Sequence, residues 1–94
     1  MLDLAYRMTA VAGAEDRLVA ALLENARASR DEPGVLFFEV LRSSVDPRVV
    51  LVVERYTSSE AFDAHKASAQ SAAWKAVAPE LVEANERFTT ADVA

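Results

Sequence analysis

The spacing of apolar residues changes along this chain in an order that few folds accommodate. From Leu2 to Thr9 every second residue is apolar, which is typical of a half-buried strand. From Ala14 the apolar residues take helical spacing, and Pro33-Gly34 ends that helix. Two strands rich in branched and aromatic residues follow, from Val35 to Ser43 and from Arg48 to Tyr56, and the turn between them predicts a hairpin.

The last third of the chain repeats the order of helix and then strand. Residues 57–60 match a capping box, and the helix that follows carries Phe62 and His65 on one apolar stripe. We expect this helix to break near Ser68 and to end at Pro79, before a final strand within residues 81–93. The order βαββαβ predicts one α+β, ferredoxin-like domain over residues 1–94, with a four-stranded antiparallel sheet and both helices on one face.

The central hairpin is apolar on both of its faces. Strict alternation places Val35, Phe37 and Leu41 on one face of its first strand, and Leu36, Phe38 and Val40 on the other. The second strand divides in the same way, into Val49, Leu51 and Val53 against Val50, Val52 and Tyr56. Two helices cover only one face, and an antiparallel sheet normally shows water a polar second face. Either the composition is simply rich in apolar residues, or a second copy covers the sheet; we predict a homodimer, sheet against sheet.

Composition excludes several kinds of site. The chain has no cysteine and one histidine, so cysteine chemistry and a metal site built from several histidines are ruled out, and we expect no metal. A net charge of -5 argues against a nucleic-acid partner. No apolar run is long enough to span a membrane and no signal peptide is apparent, so we expect a cytoplasmic protein without a membrane partner.

Two side chains are candidates for acid–base chemistry. His65 lies on an apolar helix stripe, where it is either a buried histidine satisfied by a neighbour or a general base. Glu54 lies in an apolar strand, where it is either desolvated, with a raised pKa, or paired with Arg42 or Arg7. Trp74 and Tyr56 suit a core or an interface as well as a ligand platform.

Four short segments together resemble the antibiotic biosynthesis monooxygenase domain superfamily. The resemblance covers about residues 2–93, and its specific part comprises Glu32-Pro-Gly-Val-Leu-Phe-Phe-Glu39, Asp46-Pro47, Glu54-Arg-Tyr56 and Ser59-Glu-Ala-Phe-Asp-Ala-His65. The resemblance implies a dimeric α+β barrel with a pocket between sheet and helices. It also implies catalytic roles for His65 and Glu54, and a substrate site formed by Phe38, Tyr56, Phe62 and Trp74.

The activity that the resemblance implies is that of a cofactor-independent monooxygenase for a small hydroxylated aromatic substrate, a quinol or an anthrone-like polyketide. Gln70 stands where many relatives have a second histidine, and Tyr56 where tryptophan is common. The first strand lacks the asparagine of the haem-degrading branch, which disfavours that activity. The alternatives are a non-catalytic dimeric module for small-molecule binding or stress response, and an oxygen-independent acid–base isomerase.

Overall fold

Seven elements form the fold in the computed structural model, which describes residues 1–93. They are β1 (Leu2–Ala10), α1 (Glu15–Ser29), β2 (Val35–Arg42), β3 (Val49–Tyr56), α2 (Ser59–Lys66), α3 (Ala69–Leu81) and β4 (Val82–Thr90). The strands form one antiparallel sheet in the order β2-β3-β1-β4. This is the predicted α+β, ferredoxin-like fold, with the second helical region divided into α2 and α3.

Two serine caps explain the division between α2 and α3. The Ser58 hydroxyl accepts a hydrogen bond from the Ala61 amide at the start of α2, and the Ser68 hydroxyl accepts one from the Ser71 amide at the start of α3. The break expected near Ser68 is therefore confirmed. The expected end at Pro79 is wrong by two residues, because α3 contains Pro79 and continues to Leu81.

A β-bulge in β2 corrects one predicted face. Val35 lies opposite Tyr56 and Phe37 lies opposite Arg55, so β2 contains one extra residue at this point relative to β3. Val35 therefore packs into the core beneath the helices instead of sharing a face with Phe37. Leu36, predicted to share a face with Phe38, is half-exposed while Phe38 is buried.

The main core lies between the sheet and the helices. Leu18, Leu22 and Ala26 of α1 pack against buried residues of β1 and β3, among them Met8 and Val50. Each buried leucine of this kind contributes about 1.5–3 kcal/mol to folding. The helices are thereby held over one face of the sheet, and the space that they leave above β1 and β3 becomes the cavity described below.

The opposite face of the sheet has no helix over it, and it carries exposed apolar side chains as well as ion pairs such as Arg7–Glu86. Leu41, Leu51 and Phe88 are 50 %, 41 % and 50 % exposed there. Register places Leu41 directly opposite Leu51. The apolar character of both faces of the hairpin is thus confirmed, while the homodimer stays a prediction.

No helix within residues 1–93 is long and apolar enough to cross a membrane. The cytoplasmic location stays a prediction from the sequence.

Candidate active site

A cavity of about 220 Å³ opens between the sheet and the helices. Its walls come from β1, β2, β3 and β4 on one side and from all three helices on the other. Its lining includes Tyr6, Phe38, Glu54, Phe62, His65, Trp74, Lys75 and Arg87. The pocket implied by the resemblance is therefore present, and five of the six predicted site residues line it.

His65 projects from α2 into this cavity and is 5 % exposed. Its Nδ1 lies 2.9 Å from Oε2 of Glu32, in the loop between α1 and β2. When the imidazole is neutral, the carboxylate accepts a hydrogen bond from Nδ1, which leaves the lone pair on Nε2. Nε2 has no hydrogen-bond partner among residues 1–93. Since no fully buried side-chain nitrogen in that range lacks a partner, Nε2 is not fully buried. The basic nitrogen of His65 therefore opens to the cavity.

Aromatic rings hold the His65 imidazole on three sides. The ring centroids of Phe38 and Tyr56 each lie 5.6 Å from that of His65, and the Phe62 ring is stacked at 6.4 Å. These contacts fix the ring plane, and Glu32 fixes its rotation within that plane. The buried histidine is thus satisfied by a neighbour and also presents a free nitrogen, which joins the two interpretations that the sequence left open.

Glu54 is 6 % exposed on the helix-covered face of β3 and accepts a hydrogen bond from the Tyr56 hydroxyl. Burial raises the pKa of Glu54, although the Tyr56 hydrogen bond, His65 and Arg87 each oppose the rise. The predicted desolvation is therefore confirmed. The alternative ion pairs are not formed, because Arg42 pairs with Asp16 and Arg7 with Glu86.

Tyr56 does not line the cavity, unlike Phe38, Phe62 and Trp74. It is completely buried behind Glu54, and burial followed by the Glu54 hydrogen bond raises the pKa of its hydroxyl. The structure therefore gives Tyr56 a supporting position, in which it orients Glu54 and packs against His65, instead of the substrate contact predicted for it.

Glu32 was not predicted as a site residue, although it begins one of the four segments quoted above. The loop that carries it packs closely on α2, and Thr57 donates a backbone hydrogen bond of 2.9 Å to the Gly34 carbonyl. A Cβ at position 34 would lie 2.4 Å from the Ala61 Cβ. Glycine at this position therefore allows the approach that brings Glu32 to His65. The sequence feature that could have pointed to this loop was Pro33-Gly34, but by itself that pair predicts only the end of a helix.

The β4 edge contributes polar groups that sequence reasoning also missed. Register pairs Arg87 with Tyr6 and Asn85 with Met8, so both β4 side chains lie on the cavity side of the sheet. Burial and the Glu54 charge raise the pKa of the Tyr6 hydroxyl, while the charge of Arg87 and a hydrogen bond with it oppose the rise. Arg87 is therefore a cation that lowers the pKa of both Tyr6 and Glu54.

Gln70, one of the departures from the family pattern, has a structural role. The Gln70 amide lies 3.4 Å from the Ser29 hydroxyl, which in turn donates to Asn25, so position 70 ties α3 to α1. Within the described part of the chain, no three His, Asp or Glu side chains are arranged to hold a metal ion.

Solved structures share this fold along nearly the whole chain. Protein SO0527 of Shewanella oneidensis is 30 % identical with a TM-score of 0.87, over 95 % of this chain and 87 % of that one. PA3566 of Pseudomonas aeruginosa is 19 % identical with a TM-score of 0.93, over 99 % and 94 %. A structure described as an antibiotic biosynthesis monooxygenase is 18 % identical with a TM-score of 0.89 over both full lengths. No curated protein matches the sequence.

The fold is that of a small α+β domain shared by these structures. Residues 1–77 match the antibiotic biosynthesis monooxygenase family, so the chain belongs to that family, and the match supports a general monooxygenase-like role. The resemblance stated from the sequence is therefore confirmed.

Proposed function

We propose that this protein is a cofactor-independent monooxygenase that oxidises a small hydroxylated aromatic substrate, a quinol or an anthrone-like compound. The observation that carries the proposal is the hydrogen-bonded pair Glu32–His65, in which the buried imidazole turns its other nitrogen toward an aromatic-walled cavity. A histidine held in one tautomer by a carboxylate is a well-oriented general base.

The reaction begins with proton transfer. Nε2 of His65 takes the proton of a substrate hydroxyl, and Glu32 stabilises the imidazolium that forms. The electron-rich anion passes one electron to dioxygen, and recombination of the two radicals forms a carbon–oxygen bond in a hydroperoxide. Loss of the ring hydrogen and cleavage of the oxygen–oxygen bond give a carbonyl and release water. One quinol and one dioxygen thus become one hydroxyquinone and one water, with the substrate as the only reductant.

The remaining groups exclude water and hold the substrate. Phe38, Phe62 and Trp74 supply flat apolar walls, and a cavity of about 150 Å³ already admits benzene in other proteins. The 220 Å³ here suits a substituted single ring best. Glu54 accepts a hydrogen bond from Tyr56 through one carboxyl oxygen and offers the other oxygen to a substrate hydroxyl.

Oxygen uptake by the metal-free protein tests the proposal. The substrates are methylhydroquinone, a naphthohydroquinone and anthrone, each corrected for autoxidation. We expect catalysed uptake, and a loss of about 10²–10⁴ in rate for His65→Ala. Glu32→Gln should lower kcat by at least about tenfold and respond to pH differently from wild type, because the imidazolium loses its partner. Glu80→Gln, on the outer side of α3, is the matched control.

The outcomes separate the proposed activity from its alternatives. Absence of catalysed uptake across the panel would refute the oxygenase. Probe binding without uptake would then favour the binding module, and substrate isomerisation lost in His65→Ala would favour the isomerase. Thermal melts of each variant show whether a lost activity reflects chemistry or unfolding.

We also propose that two copies associate through the helix-free face of the sheet. Its support is the apolar surface formed by Leu41, Leu51 and Phe88, which is unusual on a monomer. Sedimentation equilibrium should give about twice the chain mass of 10.2 kDa. Leu51→Glu should give the monomer, since it would place a carboxylate within the buried interface. A wild-type protein that sediments as a monomer at micromolar concentration would overturn this assembly.

A further inference from the structure

Two of the lysine and arginine side chains form no ion pair with a carboxylate of residues 1–93, and both line the cavity. The chain has ten lysines and arginines, all within residues 1–93. Eight of them form ion pairs with Asp or Glu side chains. The two without such a pair are Lys75 of α3 and Arg87 of β4. The chain has fifteen acidic residues and a net charge of -5, so carboxylate partners are plentiful. The presence of both unpaired side chains at the same cavity therefore calls for an explanation.

The cavity therefore differs in charge from the rest of the surface. Its lining includes Lys66, Lys75 and Arg87 but only one carboxyl group, that of Glu54. Lys66 is compensated from outside the cavity by Asp63, at 3.2 Å. Lys75 and Arg87 are both exposed residues that also line the cavity, which places them at its solvent-facing rim.

The β4 side of the cavity is polar. On the same side of the sheet, β1 and β3 carry the buried apolar residues Leu4, Met8, Val50 and Val52, together with Tyr6 and Glu54. On β4 that side carries Asn85 and Arg87 instead. A polar edge that faces a cavity, in place of an apolar one, suits a ligand with a charged or polar end.

We infer that the cavity selects a substrate that carries a carboxylate, which Arg87 and Lys75 bind at the rim while the hydroxylated ring lies between His65 and the aromatic walls. This inference rests on the proposed function for the fate of the ring. A planar guanidinium binds a carboxylate through two parallel hydrogen bonds, and a lysine adds a second positive charge. Phosphate is a poorer match, because the only two glycines, at positions 13 and 34, lie outside the cavity lining and form no phosphate loop.

The test compares two probes that differ in one charge. Gentisate is a hydroquinone that bears one carboxylate, and gentisamide is its neutral amide. Binding of each is measured by titration calorimetry without oxygen, so that no turnover occurs. Wild type should bind gentisate about tenfold more tightly than gentisamide. The preference should shrink as salt is added, because the rim is exposed to solvent.

Variants assign the preference to the two cations. Arg87→Gln should abolish most of it, Arg87→Lys should retain part of it, and Lys75→Gln should reduce it. Arg17→Gln removes the same charge from the outer surface of α1, where Arg17 pairs with Glu80, and should change nothing. Equal binding of the two probes by wild type, or a gentisate preference that survives Arg87→Gln, would overturn the inference.

Oxygen uptake with the same two probes separates this inference from the proposed function. Selective gentisate binding, with no catalysed uptake from either probe or from the panel of hydroquinones and anthrone, would leave the anion site standing and refute the oxygenase. Catalysed uptake from both probes with equal kcat/KM would support the oxygenase and overturn the carboxylate preference.

Discussion

Replacing Gly34 with alanine should damage stability and the active site through a single collision. The new Cβ would lie 2.4 Å from the Ala61 Cβ, whereas ordinary contacts begin near 3.4 Å. The Glu32 loop and α2 must therefore separate by about 1 Å. Overpacking of this kind destabilises the folded state by about 1–3 kcal/mol. Alanine also lowers the conformational entropy of the unfolded chain, which offsets only about 0.4–1 kcal/mol of that loss. We expect a net loss of roughly 1–2 kcal/mol, which lowers the melting temperature by about 5–15 °C.

The same displacement acts on the base. Glu32 reaches His65 over 2.9 Å, so a shift of this size leaves the hydrogen bond too long to hold the tautomer. Because the chain has one histidine, its ring nitrogens give a single pair of ¹⁵N signals in nuclear magnetic resonance spectra. Wild type should show hydrogen on Nδ1, and Gly34→Ala should show a mixture of tautomers.

A second substitution tests the cause. Ala61→Gly removes the colliding Cβ, after which the nearest Ala61 atom, its Cα, lies at 3.4 Å from the new methyl group. Alone it should cost about 1 kcal/mol as a helix glycine. In urea unfolding, the double variant should be more stable than the sum of the two losses by about 1–2 kcal/mol, and the wild-type ¹⁵N spectrum should return.

Gly13→Ala serves as the matched control. Gly13 has φ +87° with open space around it, so alanine there is strained in its backbone but collides with nothing. It should lower stability by about 1–2 kcal/mol and leave the His65 spectrum unchanged. Additive losses in the Gly34–Ala61 pair, or an unchanged His65 spectrum in Gly34→Ala, would refute the account of how the loop positions Glu32.

Three further outcomes follow from the titrating groups. Burial raises the pKa of Glu54 above 4.5, so the folded state holds this proton more tightly than the unfolded chain, and stability falls as pH rises from there through the folded pKa. Glu54→Gln should accordingly gain stability relative to wild type in urea unfolding as pH rises above 4.5, and a pH-independent difference would contradict this. Tyr56→Phe removes the hydrogen bond to the ionised carboxylate, so ¹³C titration should show the pKa of Glu54 rising further. Arg87→Gln removes a nearby positive charge and should also raise the pKa of Glu54, whereas Arg17→Gln should leave it where it is.

Local patterns in the sequence were enough for the elements and the fold class. Strand and helix periodicity depend on which neighbours are apolar, and caps such as that of Ser68 act within one helical turn, so both can be read from short segments. The two-faced hairpin and the burial of His65 follow from the same periodicity. The desolvation of Glu54 follows too, because Val50 and Val52 share its face of the strand.

The parts that escaped sequence reasoning depend on contacts between distant segments. Strict alternation places Val35 with Phe37, but the bulge in β2 turns Val35 into the core. Glu32 and His65 are 33 residues apart and meet only where Gly34 lets a loop approach α2. Arg87 faces the cavity because the register between β1 and β4 puts it there.

Periodicity thus determines which residues of a segment share a face, since that depends on a single chain geometry. It does not determine which faces of different segments meet, because register, bulges and loop contacts are set by packing across the whole domain. The candidate base, His65, could be named from the sequence because its helix face follows from periodicity. Its carboxylate partner and the cationic rim could be found only in the folded molecule, because they depend on contacts between distant segments.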